Sequence, residues 1–202
     1  NAQNGEISLE EYSKKANVSF TRGVALFERI IAGGAVQNLS IDVDFTNSNS
    51  ENTMFAGIAI ISEGEINNIV CNSFKFTLSS LINAGGGVFV STIVGVNKGQ
   101  LIDCVNKANI DIKNTNSSQQ SAILAISGLA SANYGSLEGC GNEGDIVTTI
   151  NASLDLRVGG LVGYNKGSIN MCYNTGKLQG IRNKSNVGSV GGLTNYTINC
   201  RI

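Results

Sequence analysis

The 202-residue sequence predicts an all-β fold, a parallel β-solenoid of about five to six coils behind a short N-terminal helical cap. Three observations predict it. One motif recurs in register through most of the chain. Apolar and polar residues alternate in short runs broken by Gly and Asn. Proline is absent, while glycine occurs 25 times. Recurrence every 20–50 residues or so marks stacked supersecondary units that cannot bury a core alone. The chain divides into a cap region, 1–26, and a solenoid, 27–202.

Taken in order, the first element is SLEEYSKKAN, Ser8 to Asn17. Ser8 with Glu11 forms a capping-box pattern, Leu9 and Tyr12 share a face, and Lys14 and Lys15 suit the C-terminal end of a helix. Such a helix would cover the open edge of the first coil, as terminal caps do in repeat proteins.

The repeats follow. Set STIVGVNKGQLIDCVNKANIDI, SGLASANYGSLEGCGNEGDIVT and GGLVGYNKGSINMCYNTGKLQG beneath one another. Gly99, Gly135 and Gly167 anchor them. Leu101, Leu137 and Ile169 come two places later, and Cys104, Cys140 and Cys172 five places later. Asn106, Asn142 and Asn174 stand seven places on; Ile110, Ile146 and Leu178 stand eleven places on. Weaker copies start at Gly34 and Gly64, with Leu39 and Ile69 at the cysteine place. A shortened copy starts at Gly191 and ends at Cys200, a fourth member of the cysteine position. Anchors from Gly34 to Gly167 are spaced 30, 35, 36 and 32 residues apart.

Within a copy, VDF, ANIDIK and DIVTTI alternate with the period of a half-buried strand. Strands of three to six residues are expected, broken at corners such as NKG and NYG. Stacked copies would then pair in parallel at about 4.8 Å per coil. Insertions at one place in each copy, NSNSENT, KNTNSSQQS, NASLDLR and IRNKSNVGS, are expected as loops along one edge. Missing proline fits interior strands, which need every N–H for the ladder. An antiparallel sandwich would not carry a repeat of this length in register.

Gly159 to Gly180 closely resembles the GLUG motif, read roughly as GGLVG-x-N-x-G-x-I-x-x-C-Y-N-x-G. Ser91–Ile112 and Ser127–Thr148 are looser versions, and the likeness covers about two thirds of the chain. GLUG repeats occur in large bacterial surface proteins, including adhesin-like ones and non-catalytic parts of some IgA-cleaving metallopeptidases. The resemblance implies a right-handed β-helix with a scaffolding or adhesive role and supplies no catalytic residues.

The candidate special residues read as structural. Cys104, Cys140, Cys172 and Cys200 form an expected thiol column, each a small buried hydrophobe. Disulfides between coils are the alternative, though parallel side chains strain the bridge. Spacing near 30 residues gives no C-x-x-C metal pair. Cys71 falls two places past the column and reads as an isolated buried thiol. Asn106, Asn142 and Asn174 would pass amide hydrogen bonds from coil to coil. Gly85-Gly86-Gly87, Gly159-Gly160 and Gly191-Gly192 match no phosphate-loop frame and read as corners. Asp42 with Asp44, and Glu63 with Glu65, are the carboxylate pairs available to a carbohydrate-active enzyme. Sequons such as Asn38-Leu-Ser, Asn151-Ala-Ser and Asn195-Tyr-Thr are of the kind that chance supplies in an Asn-, Ser- and Thr-rich chain.

Composition removes whole classes of function. With no histidine there is no Ser-His-Asp triad, no Cys-His dyad and no HExxH zinc site. Fourteen basic against 15 acidic residues offer no concentrated basic charge for nucleic acid. No apolar run reaches a membrane span. The opening residues lack both an initiator Met and a signal-peptide pattern, which reads as a processed or excerpted chain. The chain stops at Ile202 in an apolar strand, so the solenoid is expected to continue or to be covered by a partner.

The expected function is therefore a non-catalytic structural or adhesive segment of a secreted or cell-surface protein, with no cofactor and no metal, binding protein or glycan partners through loops or faces. A module that stacks end to end in a larger complex is the alternative. A carbohydrate-active β-helix enzyme is the third reading, for which the few aromatics are poor support.

Overall fold

A computed structural model describes residues 23–45, 54–76, 87–114, 120–150, 153–182 and 188–197. All regular structure among them is strand, and every strand pairing is parallel. The chain is a β-solenoid with four faces. The first face has six strands: Gly23–Val24, Met54–Phe55, Gly87–Ser91, Gln120–Ser127, Ser153–Gly159 and Gly188–Gly191. The second also has six: Phe27–Ile30, Ala59–Ser62, Val94–Asn97, Ala130–Asn133, Val162–Asn165 and Thr194–Thr197.

The third face begins with two long strands, Ala35–Phe45 and Glu65–Phe76. In the next three copies it breaks into short pairs, Gln100–Ile102 with Val105–Asn106, Ser136–Glu138 with Gly141–Asn142, and Ser168–Asn170 with Tyr173–Asn174. The fourth face has three strands: Ile110–Asn114, Ile146–Ile150 and Leu178–Arg182. The helix expected over Ser8–Asn17 lies outside the described residues.

Register follows the repeat. Val36, Ile66, Leu101, Leu137 and Ile169 stand opposite one another coil by coil. So do Ile110, Ile146 and Leu178. Inward-facing residues from all four faces form one core, from Val43 and Phe45 through Ile93, Leu101 and Leu129 to Leu161 and Ile169.

Three features differ from the sequence reading. First, strands exceed six residues: Ala35–Phe45 has 11 and Glu65–Phe76 has 12. Second, much of the expected loop sequence is strand. Ser153 to Arg157 of NASLDLR belong to Ser153–Gly159, and Gln120 and Ser121 open Gln120–Ser127. Pairing to a coil already in place outweighs the weak β-propensity of these polar residues. Third, the second face is buried on both sides in its middle copies, as the uninterrupted burial of Val94–Asn97, Ala130–Asn133 and Val162–Asn165 records. Its outward side chains meet those of the first face in a second apolar cluster of Met54, Ile60, Phe89, Val96, Ala132 and Tyr164. Strands covered on both faces do not show the alternation of half-buried ones, which is why VGVN and ASAN carry little pattern.

Candidate functional site

The anchor glycines have a steric cause. A Cβ on Gly99 would lie 1.9 Å from the carbonyl oxygen of Gly64, and one on Gly135 would lie 1.9 Å from that of Gly99. Gly64 and Gly167 meet the preceding anchor's oxygen at 2.1 and 2.0 Å. Each oxygen accepts the N–H that follows the next anchor: Gln100 N donates to Gly64 O and Ser136 N to Gly99 O, both at 3.0 Å. No other residue lets the coils close to that distance.

Four places past each anchor the chain enters the left-handed region at Asn38, Asn68, Asp103, Gly139 and Met171. Asn and Asp tolerate it through local side-chain hydrogen bonds, whereas Met does not. Met171 is also 78% exposed.

The next residue is the cysteine position. Cys104, Cys140 and Cys172 stand on successive coils, since Val105, Gly141 and Tyr173 are paired neighbours. All three are free thiols, Cys104 and Cys140 buried and Cys172 half-buried. The backbone N–H of Cys104 donates to Cys140 Sγ at 3.4 Å, and Cys140 Sγ–H donates to Glu138 O at 3.3 Å. Hydrogen bonding with the Cys104 thiol, together with burial, holds the Cys140 thiol up at about 12. Cys71 is also a buried free thiol and faces Asn106 in register. Burial, with Asp42 adding to it, pushes that thiol up to about 12. Thiols so placed are poor nucleophiles. Cys200 lies outside the described residues.

The asparagines are joined directly. Asn106 Nδ2 donates to Asn142 Oδ1, and Asn142 Nδ2 to Asn174 Oδ1, each at 2.7 Å. Each amide also closes its own corner: Asn106 Nδ2 donates to Ala108 O at 2.9 Å, and Ala108 N donates back to Asn106 Oδ1 at 3.1 Å. Asn142 and Asn174 bond Gly144 O and Gly176 O in the same way.

A second ladder escaped the sequence reading. Asn97 Nδ2 donates to Asn133 Oδ1 at 2.8 Å, and Asn133 Nδ2 to Asn165 Oδ1 at 2.7 Å. All three residues are fully buried. Their signal is Asn two places before each anchor, inside NKG and NYG, which read as turn chemistry alone. The ladder ends at Asn97, whose Oδ1 is buried without a partner because Ser62 stands opposite.

The carboxylates sit outside. Asp42 and Asp44 are exposed on one strand, and Asp44 lies 3.8 Å from Lys75. Glu63 is held by Arg29 at 3.2 Å and Lys98 at 3.9 Å. Asn67 Nδ2 donates to Glu65 Oε1 at 3.0 Å. Among the described residues, no group of three or more Cys, Asp and Glu is placed to hold a metal.

A groove of about 550 Å³ runs over the anchor glycines, walled by Glu63, Glu65, Lys98, Gln100, Ser136 and Ser168. It exists because the glycines between those side chains carry none.

Comparison of the chain with protein-family models, with curated proteins and with solved structures returned no match.

Proposed function

We propose that the chain is a non-catalytic scaffold segment of a secreted or surface-exposed protein, a right-handed β-solenoid of five to six coils of the GLUG-repeat type. The observation that carries this reading is the use of the interior polar groups. Buried asparagines are spent on coil-to-coil and corner hydrogen bonds. Such bonds fix shape and register rather than chemistry. The six-stranded first and second faces support the coil count. Handedness follows the general rule for parallel crossovers.

The non-enzymatic reading draws support from the carboxylates. Asp44 and Glu63 are engaged by cations, and Asp42 stands on an open strand face. The protein's work is then extension and display, with protein or glycan partners met on its outer faces. Leu26, Ile31 and Leu39 are 62, 66 and 39% exposed on the first coil, an apolar surface that a cap or a second copy would cover.

The test pairs two assays. Purified chain incubated with a panel of polysaccharides and proteins should leave them intact, while immobilised chain should retain a subset of them. Cleavage that disappears in Asp42→Ala or Asp44→Ala would refute the scaffold reading. The same exposed first coil also favours end-to-end association, which sedimentation would reveal as concentration-dependent oligomers.

A further inference from the structure

We infer that the groove over the anchor glycines binds an extended, neutral glycan laid along the solenoid axis. The inference rests on the scaffold reading and gives that reading a partner class. The groove draws its walls from five successive copies, from Ala35 through Glu65, Gln100 and Ser136 to Ser168. At about 4.8 Å per coil it runs for roughly 19 Å.

Its walls are polar, and three of their side chains are unspent. Gln100, Ser136 and Ser168 stand in one column in register. Their amide and hydroxyl groups have no hydrogen-bond partner among the described residues. This contrasts with the interior ladders, where amides are bonded on two sides. The two carboxylates are already oriented, Glu63 by Arg29 and Lys98, Glu65 by Asn67. Each is held through Oε1, which leaves Oε2 to accept from a ligand.

Other occupants fit less well. An added peptide strand needs free backbone groups, but the N–H groups of Glu65, Gln100, Ser136 and Ser168 already donate to Gly34, Gly64, Gly99 and Gly135. A polyanion needs one sign of charge, and the walls carry Glu63 and Glu65 against Lys98. An apolar ligand would strand the amide and hydroxyl groups. A run of sugar hydroxyls supplies both donors and acceptors at a spacing that repeats along an axis. The wall columns repeat in the same way.

The experiment titrates the full chain with cellotetraose, mannotetraose and a heparin-derived tetrasaccharide by calorimetry, with chromatography of the sugar afterwards. A neutral tetrasaccharide should bind saturably. Ser136→Trp, which fills the groove, should weaken binding at least about tenfold, equivalent to about 1.4 kcal/mol. Gln100→Ala should weaken it a few-fold, and Lys113→Ala on the fourth face should not change it. Gln100→Trp fills the same groove from the neighbouring coil and serves if Ser136→Trp fails to fold. The inference is overturned if neither neutral sugar binds, if heparin fragments bind in preference, or if the folded tryptophan variant binds as before. Shortened sugar in the chromatogram would instead overturn the scaffold reading and leave the binding result standing.

Discussion

The first two copies and the next three use the same glycine anchors but turn their corners differently. In the later copies, Asn106, Asn142 and Asn174 bond the backbone two residues on, and the strand stops there. In the earlier copies the aligned residues are Ile41 and Cys71, and the strands continue to Phe45 and Phe76. Aromatic rings pack on one another in this region. Phe45 lies 5.6 Å from Phe74 edge-on, and Phe55 lies 4.8 Å from Phe76. One region is specified by directed hydrogen bonds, the other by apolar burial. The comparison shows that the corner is a property of the asparagine and not of the repeat length. It also shows why the early copies look degenerate: they keep the stacking glycine and lose the corner amide.

The comparison can be broken most forcefully at Asn142. Asn142→Ala strands Asn174 Oδ1 and Gly144 O, and leaves Asn106 Nδ2 with only Ala108 O of its two acceptors. Stability should fall by about 3 kcal/mol or more, measured by urea unfolding. Cys71→Ala, at the aligned place in the apolar region, removes one sulfur and should cost only about 1 kcal/mol. Equal losses at both sites would contradict the division.

Next comes the glycine stack common to both regions. Gly135→Ala pushes a methyl into Gly99 O and should cost about 2 kcal/mol. Gly192→Ala has open space around it and should be close to neutral in the same denaturation assay.

The buried thiols give a pH dependence. Cys71 and Cys140 hold their protons to about 12 when folded. Unfolded thiols lose theirs near about 8.5. The native state therefore binds more protons in that interval, and stability falls as pH rises. Unfolding free energy should be flat below about pH 8 and decline toward pH 12. Cys71→Ala should remove part of the decline, the rest coming from Cys140 and from Cys172, whose thiol is also pushed up by hydrogen bonding with Cys140 and by burial.

Two smaller effects sharpen the boundary between the regions. Ser62→Asn would offer a donor to the unpartnered Oδ1 of Asn97 and carry the second ladder one coil into the earlier region. A gain of about 1 kcal/mol is expected. Met171→Gly relieves a left-handed backbone at an exposed residue and should raise the thermal midpoint by an amount equivalent to about 1 kcal/mol.

Much of this was legible from spacing. Residues at fixed offsets from Gly99, Gly135 and Gly167 must fall into columns once coils stack in parallel, so the cysteine and asparagine positions could be read without coordinates. The chemistry at Asn97, Asn133 and Asn165 was less legible. An Asn beside Gly-like corners serves turns and ladders alike, and only burial separates the two. The second apolar cluster was hidden for a different reason. Its members, such as Met54, Phe89, Val96 and Tyr164, come from outward positions of two faces, where a single coil gives no cause to expect burial. The groove was hidden in the glycines themselves, since an absent side chain leaves no pattern.

The central claim is that buried asparagine amides bind the later coils to one another. Hydrogen exchange of the side-chain amides in protein labelled with ¹⁵N-Asn tests it directly. The account predicts that Asn97, Asn106, Asn133 and Asn142, all fully buried, keep their side-chain signals long after transfer to D₂O. Exposed Asn170 should lose its signal at once. Exchange of the four at the rate of Asn170 would contradict it.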